Sequence, residues 1–363
     1  MRFYQALQLS PLALKNQIKA ANTKKEKHFF QKAIVTRSFL LVSFAIVFIS
    51  LITSLFGNET SSLAVVLFCQ LLSLRFIDFG YQTKQALIGL GIVSAILLFS
   101  PPIAFVLPIG FQFIWHFASL VLLFFLTSGD ERLGNPSLYS FSYLFLVGTL
   151  PSSTTIAKRS VLMLIAYLFL AVIYSVKHRG KNSTTTFKKR VVGQGLWSKT
   201  NRFLVTLAFA LSLFLLLMAI FPLERFMWAG FACASLLAGQ RNDWKQKAWD
   251  RLIGVCLGTA LFVVLYQLIP HSFLSLLGPI AGFCLGFCGS YRYQTVFNGI
   301  GALLLAQSIY GVEQAAYLRI FDNLVGVLFA FVCLLAIMLS KKLIIQKDKY
   351  LPEGNYSENK ESL

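Results

Sequence analysis

The sequence predicts an all-α, polytopic membrane protein of about twelve transmembrane helices. Of its 363 residues, 56% are hydrophobic and only 13% are charged; soluble globular chains run near ~45–50% and ~25%. The apolar residues come in long blocks with the charges between them, the pattern of membrane-spanning helices. Lys and Arg gather in an N-terminal arm, a central linker and the C-terminus, beside apolar spans, as the positive-inside rule requires. No stretch reads as a soluble core domain, which excludes a soluble enzyme on a loose anchor. The net charge of +19 suggests a polyanion partner in a soluble protein. Here topology accounts for it, and no nucleic-acid partner is called for.

A bilayer core of about 30 Å takes about 20 apolar residues per helix. Residues 1–36 form a basic cytoplasmic arm with no cleavable signal peptide. Within it, the mildly amphipathic stretch from Phe3 to Leu14 either lies on the cytoplasmic leaflet or is a solvated tail. Spans at 38–56, 61–75, 84–99, 103–127, 137–151 and 159–176 build a first six-helix bundle over 37–176. The block 103–127 holds Pro108 and Gly110 and reads as one kinked, tilted helix or as a re-entrant pair. A basic linker follows over 177–201. Spans at 203–221, 226–240, 249–269, 273–290, 294–310 and 319–340 build the second bundle, 202–340. The polar tail 341–363 reads as disordered. The second, fifth, eighth and eleventh spans are short, so they are buried, upright or re-entrant. With both termini cytoplasmic, only Lys158, Arg159, Arg225 and Arg319 fall outside.

The halves align at an offset of 165 residues: Arg37 on Arg202, Phe44 on Phe209, Asp78 on Asp243 and Gly89 on Gly254. With a gap, Arg159 falls on Arg319. An even number of spans per half makes the repeat parallel. Two such bundles form either a rocking transporter or a static scaffold.

Few residues in the spans carry chemistry. Arg251 opens a helix with Gly254 and Gly258 four apart, one bare face for close packing. As a cation at a helix N-terminus it opposes the macrodipole. It is either a snorkelling anchor or is held by a lipid phosphate, Asp243, Asp250 or an anionic substrate. Arg319 and Asp322 are three apart and can pair on one face, with Asn323 and Gly326 deeper. Ionisable groups at that depth are expensive and face a wet path or a partner. Asp78 and Asp243 occupy equivalent inner loops, with a capping, pairing or gating duty; Lys84 and Arg251 are the pairing candidates. His116 is a proton-relay candidate or a hydrogen-bonded core histidine. Gly278, Gly282 and Gly286 recur every four residues as a packing stripe. The six cysteines lack metal or redox spacing and read as small hydrophobes. No HExxH, Walker lysine, GxSxG or acidic cluster is present, so neither a metal, a cofactor nor an enzymatic activity is expected.

Arg251-x-x-Gly254 with Gly258, together with Arg319 and Asp322-Asn323-Leu324-Val325-Gly326, resembles the fusaric acid resistance protein-like family, also called the aromatic acid exporter family. The likeness covers roughly 200–340. Val255 stands where the family often has Thr, and Thr259 comes one residue after the second Gly. The first half matches more weakly, with Ala86 at the Arg position and Gly89 kept. The resemblance implies six-span bundles in bacterial inner membranes, export of aromatic or other weak organic acids, and drive by the proton gradient. Many members carry a large cytoplasmic domain where this chain has only its linker, and Gram-negative relatives can use a periplasmic adaptor. The expected function is therefore secondary export of small organic anions along Arg159, Arg319 and Arg251, with Asp322 or His116 proton-linked. The lipid bilayer and a second copy of the chain are the other expected partners. A non-transporting envelope-maintenance or assembly component and a passive anion channel are the competing readings.

Overall fold

The computed structural model describes residues 2–129, 135–193, 195, 198–239 and 243–350. In chain order its helices are α1 (Phe3–Leu7), α2 (Pro11–Ala20), α3 (Lys24–Phe56), α4 (Ser61–Leu74) and α5 (Thr83–Val106). Next come α6 (Ile109–Thr127), α7 (Asn135–Val147), α8 (Ser153–Lys177), α9 (Phe187–Val192) and α10 (Lys199–Ile220). The last are α11 (Phe226–Leu237), α12 (Trp244–Leu268), α13 (Leu277–Leu285), α14 (Tyr291–Tyr310) and α15 (Val312–Tyr350). Among the described residues, seven helices are long and apolar enough to cross a bilayer: α3, α5, α6, α8, α10, α12 and α15. The protein is an all-α, multi-pass membrane protein. The remaining apolar blocks also hold helices, but α4, α7, α11 and α13 are shorter, and α14 carries Arg292, Gln294, Asn298 and Gln307.

Several boundaries differ from the sequence reading. α3 begins at Lys24, well before the apolar run, because Thr23 accepts a hydrogen bond from the Glu26 amide (3.2 Å) and Glu26 accepts one from the Asn22 amide (3.3 Å). The first bond satisfies an orphan donor of the first turn, and the second ties Glu26 back to the residue that precedes the cap. The N-terminal arm is not a loose tail. α1 and α2 fold back on α3, burying Ala6 and Leu14 against Ala33 and Ile34. The kinked single helix over 103–127 does not form. α5 runs on through Pro101 and Pro102, and the chain breaks at Leu107, which is extended as a residue before proline prefers to be. Pro108 then caps α6. At the C-terminal end α15 continues as helix to Tyr350, into the stretch expected to be disordered.

The linker also folds. Its helix α9 docks under the first half: Phe187 N donates to Gln85 Oε1 (2.7 Å), Gln82 N to Thr185 O (2.9 Å) and Asn182 Nδ2 to Asp78 Oδ1 (2.8 Å). Arg190 donates to the carbonyls of Phe125 and Ser128 at the end of α6, placing a cation at a helix C-terminus, where the dipole favours it. Burial lowers the Arg190 pKa and raises that of the neighbouring Tyr81 phenol.

The two halves interlock. α10 packs on α6, where Phe209 meets Phe113 and Phe117 with ring centroids 5.6 and 6.1 Å away. α11 packs on α7 through Phe231 and Phe141 at 4.8 Å, and α13 packs on α3. α3 is peripheral: only 6% of its most apolar window is buried, and Phe39, Val47 and Leu55 point outward. α12 and α14 approach to backbone contact. A Cβ on Gly254 or Gly258 would lie 2.6 Å from the carbonyl oxygen of Arg292 or Val296. Gly326 of α15 likewise abuts the Ala229 backbone of α11.

Candidate functional site

That close approach brings four helices around Arg251, which is buried. Its Nε donates to Asn323 Oδ1 on α15 (3.1 Å), and its Nη1 donates to Ser235 Oγ on α11 (3.1 Å) and Tyr291 OH on α14 (2.8 Å). The two hydroxyls are themselves 2.8 Å apart. Lys247 donates to Ser235 O (2.6 Å) and lies 5.1 Å over the Tyr291 ring. Neither Asp243 nor Asp250 holds Arg251, contrary to one sequence expectation. Asp250 instead takes Arg292 of α14, at 2.7 Å. The cation is thus compensated by neutral oxygens and an aromatic hydroxyl, each a charge-assisted bond of about 1.5–3 kcal/mol.

One turn away, Asn323 donates to Arg319 O (2.7 Å). The Arg319 guanidinium lies 4.9 Å over the Trp228 ring. Arg225 approaches the same ring (5.8 Å) and that of Tyr310 (5.0 Å). Gly299 leaves room on α14, since a Cβ there would stay 4.0 Å from Arg319 Nε and Nη2. Arg319 and Asp322 form no ion pair among the described residues, which corrects the expected pairing. The Arg319 guanidinium stacks over Trp228 of α11, and Asp322 lies one turn before Gly326, which abuts Ala229 of the same helix as Trp228. Asp322 is fully buried, and both its oxygens, together with Arg319 Nε, Arg225 Nε and Thr259 Oγ1, have no hydrogen-bond partner. Buried polar atoms normally find one, and a carboxylate without a donor is among the costliest exceptions. The charged groups acting on Asp322 are Arg319, Glu224 and Arg225.

The structure does not bring every sequence candidate here. Arg159 is buried elsewhere, donating to Thr149 O (2.9 Å), Glu59 O (2.8 Å) and Ser62 Oγ (3.0 Å). His116 sits in a separate buried chain: its Nδ1 is 2.8 Å from Tyr143 OH, which bonds Ser100, which bonds Ser119. Asp78 accepts from its own loop at Gly80 N (2.7 Å) and from linker residue Asn182, not from Lys84. Asp243 precedes α12 without capping it through its side chain. Of the glycine stripe, a Cβ on Gly286 would overlap Ser38 of α3, one on Gly282 would lie 3.4 Å from Val42, and one on Gly278 would make only an ordinary 3.7 Å contact with Leu304. Tyr291, Ser235 and Trp228 were not singled out from the sequence.

The residues of this cluster lie within one stretch of the chain. Residues 208–333 match the fusaric acid resistance protein-like family. The fusaric acid resistance protein-like segment holds Trp228, Ser235, Arg251, Tyr291, Arg319, Asp322 and Asn323, and leaves out Arg159 and His116. Comparison with curated proteins found no match, and comparison with solved structures found none.

Proposed function

We propose that this protein is a secondary exporter of small organic anions, aromatic carboxylates among them, driven by the proton gradient across a bacterial plasma membrane. The observation that carries the reading is the buried Arg319–Asp322–Trp228 group, whose guanidinium Nε and carboxylate lack partners, inside the family-matched segment. A guanidinium over an indole face suits a flat carboxylate. Its donors take the carboxylate oxygens and the ring takes the apolar body. Asp322 exchanges the proton, because a carboxyl in that setting is costly charged and cheap neutral. Arg251, tied to three neighbouring helices, closes the cytoplasmic side. Loss of its bonds opens the path to that side while the outer side closes.

Twelve spans in two parallel bundles with cytoplasmic termini complete the proposal. Two observations support the repeat. Arg159 and Arg319 are both buried near the start of their helices. The pairings α10 with α6 and α3 with α13 are those that exchange of the halves generates. The test is uptake of labelled aromatic carboxylates into everted vesicles energised by a proton gradient. The expected result is uncoupler-sensitive accumulation, abolished by Arg319→Ala and by Asp322→Asn with insertion intact. Efflux unchanged in both variants removes this site, and gradient-independent flux makes the protein a channel.

A further inference from the structure

α12 and α15 carry a second feature beside the seam that Arg251 and Asn323 close. An apolar groove of about 330 Å³ runs between them, walled by Trp244, Trp249 and Leu252 of α12 and by Val327 and Phe331 of α15, with Lys245 at its rim. Leu252 follows Arg251 by one residue, about a quarter-turn around the helix, and Val327 follows Asn323 by one helical turn. The groove therefore adjoins the Arg251–Asn323 bond on both helices, through Leu252 and Val327. Trp and Lys at the start of a span mark the bilayer interface, and the topology proposed above puts this end in the cytoplasmic leaflet. Trp249 is exposed. Lys245 is exposed and touches only the Trp244 ring, with no carboxylate partner among the described residues.

We propose that this groove binds a free single-chain carboxylic acid drawn from the cytoplasmic leaflet, with its apolar body in the groove and its carboxylate at Lys245. Charge complementarity selects an anionic head. The volume stands at the small end of ligand sites, about 300–1,000 Å³, and takes one apolar body, whereas a diacyl phospholipid brings two. Its purpose rests on the exporter reading: an acid held here lies beside the Arg251–Asn323 seam and enters the path sideways, when the α12–α15 seam parts, rather than from water.

The test uses the purified full chain in nanodiscs of zwitterionic lipid, with dibromostearate as quencher of tryptophan fluorescence. Quenching is expected to saturate, to be much reduced in Trp249→Phe, and to be blocked by filling the groove with Ala248→Phe or, on an exposed position that leaves the core untouched, Leu328→Phe. Lys245→Gln weakens binding about two- to fivefold, the worth of an exposed ion pair, and Lys245→Arg restores it. Quenching that is equal in wild type and groove-filled variants overturns the proposal. So does equal, non-displaceable quenching by dibrominated phosphatidylglycerol, which makes the groove an ordinary lipid contact. Arg319→Ala leaves quenching intact. Quenching with no efflux in the wild type sinks the exporter reading alone, and efflux without quenching sinks the groove alone.

Discussion

Gly258→Ala tests the helix contact on which the Arg251 cluster depends. The new Cβ would sit 2.6 Å from Val296 O and 3.0 Å from Val296 Cα, where ordinary contact begins at 3.4 Å. Both opposing atoms are backbone, so no side chain can swing away, and the helices must part by about 0.8 Å. Overpacking of this kind costs about 1–3 kcal/mol, set against a gain of about 1 kcal/mol from replacing a helical glycine. Gly301→Ala on α14 isolates the first effect. Nothing lies within 4 Å of its Cβ position, so it carries the propensity gain alone. Gly258→Ala should therefore be less stable than Gly301→Ala by about 1–3 kcal/mol, measured by titrating SDS into protein in mild detergent and following helix loss and tryptophan fluorescence. Equal stability of the two variants would refute the close α12–α14 contact. Parting also draws Tyr291 from Arg251, so efflux per folded molecule should fall in Gly258→Ala and hold in Gly301→Ala.

Arg159→Leu removes three hydrogen bonds from a buried cation and leaves Thr149 O and Glu59 O bare. It should cost about 2–4 kcal/mol in the same titration while leaving efflux per folded molecule unchanged; efflux lost from folded Arg159→Leu would return this residue to the transport path. Arg190→Ala frees the linker from α6, and tryptic cleavage at the exposed Lys188 and Lys189 should quicken about ten- to a hundredfold. An unchanged cleavage rate would show that the Arg190 bonds do not hold the linker. Tyr143→Phe takes away the hydroxyl shared by Ser100 and His116. It should lower stability by about 1–2 kcal/mol without altering the gradient dependence of efflux, and altered gradient dependence would make the His116 chain a proton route.

The helices were legible because apolar blocks long enough for a bilayer leave little other choice. Their ends were less so. The polar stretch before Arg37 hid fourteen residues of α3, although Thr23-x-x-Glu26 is a capping signal and Phe29, Phe30, Ala33 and Ile34 recur at helical spacing. Pro101 and Pro102 read as a boundary but lie inside α5, while Pro108 makes the break. Arg251, Arg319, Asp322 and Asn323 stood out because charge and amide are rare in spans. Tyr291, Ser235 and Trp228 did not, because tyrosine, serine and tryptophan are unremarkable there and only the packing of α11 and α14 puts them beside a guanidinium. The same blindness applies to Arg319 and Asp322, whose spacing suggests a pair, whereas the Arg319 guanidinium stacks on Trp228 instead.

The cap on α6 bears on how the chain is made. The ribosome delivers α6 to the membrane before either the Arg190 that satisfies its last carbonyls or the α10 that covers its flank has been synthesised. Until then α6 must borrow water or headgroup partners at that end. Its final seating belongs to a later stage of biogenesis, when the linker emerges and closes over it. A chain cut in the linker would leave the first half to wait on a separate molecule for that step.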